Sequence, residues 1–148
     1  MINLESSTII CLPARRVFDF VSTPENDFRW QYGTLATARL SNGVNIGTFF
    51  RSIGHWRGRR LQGTLVVTQY EPNKKYGFKF LSGPLQVQTS YRFVVVNGGT
   101  QIHISTRANV DNFFQTDESV LEKALKEQLK ENLALLKDLL EVPPILPA

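Results

Sequence analysis

Leu85-Gln86-Val87-Gln88-Thr89-Ser90-Tyr91-Arg92-Phe93 places Leu85, Val87, Thr89, Tyr91 and Phe93 on one face of an extended chain and Gln86, Gln88, Ser90 and Arg92 on the other. A period of two over nine residues reads as a half-buried β-strand. The neighbouring segments repeat the pattern: Tyr76-Gly77-Phe78-Lys79-Phe80 before it, and Gln101-Ile102-His103-Ile104-Ser105-Thr106-Arg107-Ala108 after it. Ser82-Gly83-Pro84 and Asn97-Gly98-Gly99 separate the three segments with turn-forming residues. One wet face and one apolar face describe an antiparallel sheet covered on a single side.

Outward from this centre, the same grammar covers residues 34–110, with further breaks at Ser41-Asn42-Gly43, Arg57-Gly58 and Glu71-Pro72-Asn73. Residues 2–12 alternate loosely and read as a first strand. Pro13 ends it and suits the first turn of a helix carrying the stripe Val17, Phe18, Phe20 and Val21. Thr23-Pro24 signals a second short helix running toward Trp30. The cover for the sheet comes last. Residues 119–141 contain no Gly or Pro and are rich in Leu, Glu, Lys and Ala. Ser119 and Glu122 suggest a capping box, and Leu121, Leu125, Leu129, Leu136 and Leu140 form an apolar stripe with Ala124 and Leu133 beside it. Such a helix spans roughly 35 Å. The expectation is an α+β architecture: about seven strands in a strongly curved antiparallel sheet, two short helices after the first strand, and a long C-terminal helix gripped by the sheet.

The 148 residues suit one domain, expected over 1–148 with a flexible Pro-rich tail from about 142. Seventeen basic and thirteen acidic residues give a net charge of +4, scattered apart from Arg57, Arg59 and Arg60. Without a basic stripe, nucleic acid is not an expected partner. One cysteine, Cys11, and two distant histidines provide neither a disulfide nor a metal cluster, so no metal or cofactor is expected. No signal-peptide pattern and no run near the ~18 apolar residues of a span occurs, so the expected compartment is the cytoplasm, without stable membrane insertion. Monomer and dimer both stay open. Nucleophile-elbow, phosphate-loop and His-Glu-x-x-His signatures are absent.

Several segments together resemble the START/Bet v 1-like (SRPBCC) superfamily of helix-grip proteins, and within it the bacterial-type polyketide cyclase/dehydrase-like proteins. Ile9-Ile10-Cys11-Leu12-Pro13-Ala14-Arg15-Arg16-Val17-Phe18 looks like that family's first strand entering its first helix. Trp30 sits where the family closes its second helix, and Val67-Thr68-Gln69-Tyr70-Glu71-Pro72 looks like its strand ending in an acidic-Pro turn. The resemblance covers essentially the whole chain. It implies an internal cavity for a small hydrophobic or amphipathic molecule such as a polyketide, isoprenoid, lipid or aromatic, which the protein binds and transports. The alternatives are a cyclase or dehydratase of a polyketide-like substrate and a protein-interaction module; catalysis is not the first expectation.

Under helix-grip geometry the cavity is expected to draw on Leu65, Val67, Phe78, Phe80, Leu85, Val87, Thr89 and Tyr91 of the sheet and on Leu121, Leu125 and Leu129 of the long helix. Phe49, Arg51 and Ile53 are added from the strand at 47–56, whose two faces both mix apolar and polar residues. Trp30 and Phe113 are expected at the mouth, with Phe28, Tyr32 and Phe114 as a gate or rim. Polar groups that could orient a ligand are Arg51, His55, Gln69, Thr89 and Tyr91; His55, Arg51 and Tyr91 are the candidates if a proton must move. Asp19, Glu25 and Asp27 are expected to be solvated or capping, and His103 to lie on the wet face.

Overall fold

The computed structural model describes residues 1–43, 45–56, 58–83, 86–109 and 117–142. Strand β1 (Ile2–Ile10) leads into helix α1 (Ala14–Val21) and a 3-10 helix (Pro24–Arg29). Strands β2 (Thr34–Arg39), β3 (Phe49–Trp56), β4 (Arg59–Glu71), β5 (Lys75–Phe80), β6 (Gln86–Val96) and β7 (Gly99–Asn109) follow, and helix α2 (Glu118–Glu141) ends the described chain. All seven strands join one antiparallel, curved sheet in the order β1-β7-β6-β5-β4-β3-β2. This is the expected helix-grip architecture. Consecutive strands β2 to β7 are hairpin neighbours, and β1 closes against β7 with Ile2 opposite Ala108 and Ile10 opposite Thr100. The Asn97-Gly98 turn allows Val96 to pair with Gly99, Gly98 taking the φ of +87° that a tight hairpin requires. Register shifts at Thr34/Ala36 and Val67/Gln69 interrupt the ladders and add local bend and twist.

Helix α2 is capped differently from the capping box expected at Ser119 and Glu122. Asp117 is the N-cap: its Oδ1 accepts from the Ser119 amide and from the Ser119 hydroxyl, both at 2.9 Å. The cap therefore lies two residues earlier, and Ser119 donates to it. At the other end Lys137 Nζ donates to the Ile9 carbonyl at 2.5 Å and to Glu141 at 2.8 Å, while the Cys11 amide donates to the same Glu141 oxygen at 2.9 Å. These contacts pin the last turns of α2 to the end of β1.

Two apolar clusters fill the space between sheet and helices. The larger gathers Val17, Phe18 and Val21 of α1 with Phe50, Tyr76 and Phe93 of the sheet and Leu133 and Leu136 of α2. Phe18 meets Tyr70 and Phe93 edge-on, with ring centroids 5.4 and 5.3 Å apart. The smaller joins Ile2, Leu4 and Ala108 to Leu121. Along α2 only Leu121, Leu133 and Leu136 are fully buried. Leu125, Leu129 and Leu140 of the expected stripe are half-buried. Leu125 and Leu129 pack against the smaller cluster and border a cavity.

Replacing Leu136, which is fully buried, by Ala should cost about 2–5 kcal/mol of stability. Leu135→Ala, on the exposed side one residue away, should change it by less than about 0.5 kcal/mol. Urea denaturation of the two variants checks this, and equal losses would mean the helix is turned the other way.

Candidate functional site: a cavity under the long helix

Between the first half of α2 and the sheet lies a cavity of about 250 Å³. Leu121, Leu125 and Leu129 form its roof. Leu65 of β4, Phe78 and Phe80 of β5, Val87, Thr89 and Tyr91 of β6 and Ile104 of β7 form its floor. Thr89 and Thr106, cross-strand partners, place their hydroxyl oxygens 3.3 Å apart on the cavity wall, one hydroxyl donating to the other. Most of the expected wall residues are therefore brought together here, Trp30 among them.

Strand β3 departs from the expectation. Phe50, Ser52 and Gly54 pair with Leu65, Gly63 and Leu61, and cross-strand partners share a face. Even-numbered residues thus point inward: Phe50 is buried, and Ser52, Gly54 and Trp56 line the cavity. Phe49 and Arg51 are exposed, and Ile53 shares their outer face. None of the three lines the cavity, and Arg51 is no candidate for chemistry inside it. Gly54 has no room for a side chain: a Cβ there would sit 2.4 Å from the Gly33 carbonyl oxygen. Val67 is buried but packs into the larger cluster, away from the cavity. Gln69 is exposed on the outer face. Leu85, Phe113 and Phe114 lie outside the described residues. Trp30 is not a rim residue either, being 1% exposed, whereas Phe28 and Tyr32 are exposed.

On the side of β2 and β3, polar contacts hold the helix to the sheet. Asn132 Oδ1 accepts from the Tyr32 amide at 3.0 Å, and Gln128 Nε2 donates to the Tyr32 carbonyl at 2.7 Å. The other atom of that amide, Gln128 Oε1, accepts from Trp56 Nε1 at 3.2 Å. His55 borders the cavity next to this clasp, its ring 6.0 Å from that of Tyr32.

Asp27, expected to be solvated or capping, is neither. In a 3-10 helix residues three apart are eclipsed, and Pro24, Asp27 and the capping Trp30 are all buried on one side. Asp27 is 7% exposed and lines the cavity together with Trp30, Gln31 and Tyr91. Burial, and then the Glu25 carboxylate on the same helix, push the Asp27 carboxyl well above the ordinary range. Burial likewise raises the Tyr91 phenol, with Asp27 and Tyr76 adding to the rise and the Gln31 amide opposing it. Tyr76 stacks on Tyr91 with centroids 5.8 Å apart, and its phenol is raised mainly by burial. Glu25 itself reaches Arg39 at 3.5 Å. Asp19, by contrast, is exposed, as expected. The sequence does hold a signal for Asp27, the three-residue repeat Pro24, Asp27, Trp30.

An acid whose folded pKa is raised holds its proton longer in the native state than in the unfolded one, so stability falls as pH rises from the usual carboxylate range through the folded value. Asp27→Asn should remove that slope and be more stable than wild type at pH 8, with little difference at pH 4. Thermal melts at the two pH values check it; an unchanged slope in the variant would mean that Asp27 is not the buried acid responsible.

None of the curated proteins compared by sequence matches the chain. Among solved structures, a START superfamily protein from Mycobacterium smegmatis superposes with a TM-score of 0.81 at 14% identity, over 94% of this chain and 97% of that one. A protein of Thermus thermophilus gives 0.78 at 13% identity, over 93% and 96%. The di-domain ARO/CYC BexL from the BE-7585A biosynthetic pathway gives 0.72 at 16% identity; 93% of this chain covers 46% of that longer one. At these identities the likeness is one of fold. The family model for polyketide cyclase/dehydrase and lipid transport proteins matches residues 1–141, and the chain belongs to that family.

Proposed function

We propose that this protein binds, and carries, one small hydrophobic or amphipathic molecule in the cavity under α2. The observation behind this reading is that Trp56, Leu61, Phe80, Val87, Leu125 and Leu129 are all half-buried around one space. Large apolar side chains in a core normally touch each other. Here they face a void that an apolar guest would fill, with about 25 cal/mol gained per Å² of surface removed from water. Among the described residues no Lys or Arg lines the cavity, so a neutral guest suits it. The family's description, which includes lipid transport, agrees with a carrier.

A second reading, a reaction on a polyketide-like substrate in the same cavity, is favoured by Asp27 and Tyr91. Two titratable groups on one apolar wall are the minimum for moving a proton, and their environment shifts both. BexL, an ARO/CYC protein of a biosynthetic pathway, has this fold.

The test is direct. Nile red, a neutral apolar dye, should bind the native protein one to one with a rise in fluorescence. Val87→Trp should abolish binding by filling the space, and Leu125→Phe should weaken it; circular dichroism confirms that each variant folds. A folded Val87→Trp that binds the dye as well as wild type would show that the cavity is not the binding site.

A further inference from the structure

Basic residues that scatter along the sequence gather on the outer face of the sheet, away from α2. The register sets Gly77 of β5, Ser90 of β6 and Ser105 of β7 side by side on that face. Side chains two places along a strand return to the same face. Lys75 and Lys79 therefore flank Gly77, Arg92 flanks Ser90, and His103 and Arg107 flank Ser105. Short or absent side chains among long ones leave a hollow, and an open one of about 470 Å³ lies here. Lys75, Arg92, His103, Ser90 and Ser105 all line it. A Cβ on Gly77 would come 3.0 Å from Gln69 Oε1, so the bare position also makes room for the Gln69 amide, which lines the hollow as well.

Pairing forces the cations together. Arg92 lies directly opposite His103 on β7 and directly opposite Lys75 on β5. Adjacent strands are about 4.8 Å apart, and like charges directly opposite each other destabilise a sheet. Glu71 offsets Lys75 in part, at 3.7 Å. Among the described residues no ion pair or hydrogen bond engages the side chain of Arg92 or of His103. Glu5, opposite Ser105, brings a carboxylate to the hollow, against a lysine, an arginine and an imidazole. The hollow therefore stays positive.

We infer that this hollow binds one oxyanion, the phosphate group of a small water-soluble ester, on the side of β6 that faces away from the cavity. The inference is independent of what the cavity holds. The planar fork of Arg92 matches two phosphate oxygens, and Lys75 adds a point charge. The Ser90 and Ser105 hydroxyls and a His103 N–H are further donors for the remaining oxygens. Glu5 and Gln69 end the row that runs through Ser105, Ser90 and Gly77, and their oxygens accept from hydroxyl groups on the alcohol part of the ester. A small ligand suits the site better than a polyanion or a charged surface. Glu5 on β1 and Glu71 on β4 bound the positive area, and an extended anion would meet both carboxylates.

Calorimetry in low-salt buffer at pH 7 tests it with four probes: glycerol 3-phosphate, glycerol, an oligouridylate and vesicles of phosphatidylglycerol. Glycerol 3-phosphate should bind one to one and weaken with added salt, and glycerol should not bind. Arg92→Gln should weaken glycerol 3-phosphate about tenfold, and Lys75→Gln by a smaller factor. Glu5→Gln should tighten it, since a repelling carboxylate is gone. Lys123→Gln makes the same charge change on the exposed side of α2 and should leave binding as it is. Circular dichroism confirms that each variant folds; if Arg92→Gln does not, Lys75→Gln and Glu5→Gln carry the test. Glycerol 3-phosphate that does not bind overturns the inference. Equal weakening by Lys123→Gln and Arg92→Gln overturns it in favour of net charge alone. Oligouridylate or vesicles that bind more tightly than glycerol 3-phosphate, and lose as much with Lys79→Gln as with Arg92→Gln, overturn it in favour of an extended anionic partner.

Discussion

One apolar sheet face and one long helix have to cover each other, and they differ in shape. Leu121 seats the start of α2 against Ile2, Leu4 and Ala108, while Leu133 and Leu136 seat its second half in the larger cluster. Between those anchor points lies the cavity, and register shifts interrupt the ladders between β2 and β3 and between β4 and β5. The void is thus a consequence of how the two elements meet, and Leu125 and Leu129 are left half-buried because of it. A helix anchored at two apolar points needs something along its open side, and there Gln128 and Asn132 bind the Tyr32 backbone and the Trp56 ring nitrogen. One side of the seam is therefore apolar and tight, the other polar and exchangeable with water.

The cavity wall is also uneven in polarity. Most of its large side chains are apolar, the Thr89 and Thr106 hydroxyls share one hydrogen bond on it, and Asp27 lies on it beside Trp30. A buried acid with no cation is unfavourable when ionised. Its placement on a 3-10 helix, between a proline and a tryptophan that both pack inward, holds it there although solvent would solvate it better.

The architecture was legible because its signals are long. Nine alternating residues around Val87 and Tyr91, and twenty-three residues without Gly or Pro at the end, leave few alternatives. The face of β3 was not legible, for a specific reason: the inward positions run Phe50, Ser52, Gly54, Trp56, with Gly54 kept bare by the approach of Gly33, so the small residues in the middle break the hydrophobic pattern that marks an inner face. Phe49 and Ile53 then mimic a core side, and Arg51 follows them by parity. Asp27 was hidden by the opposite effect. A lone carboxylate near a helix start is normally a solvated or capping group, and only the three-residue period of a 3-10 helix reveals that it shares a face with Trp30. The half-burial of Leu129 was also out of reach, since periodicity tells which side of a helix faces in but not whether anything waits there.

The strand order carries a kinetic meaning. Six strands, β2 to β7, pair with chain neighbours through hairpin connections of at most nine residues, contacts whose closure costs little entropy. The junction of β1 with β7 and the landing of α2 on β1 join segments from opposite ends of the chain, and such pairings come late and slow the search. Leu4, Ala108 and Leu121, which enclose the cavity, come from those three elements. The chamber is therefore finished only when the ends of the chain meet, and a guest held there reports on the completed molecule rather than on any hairpin within it.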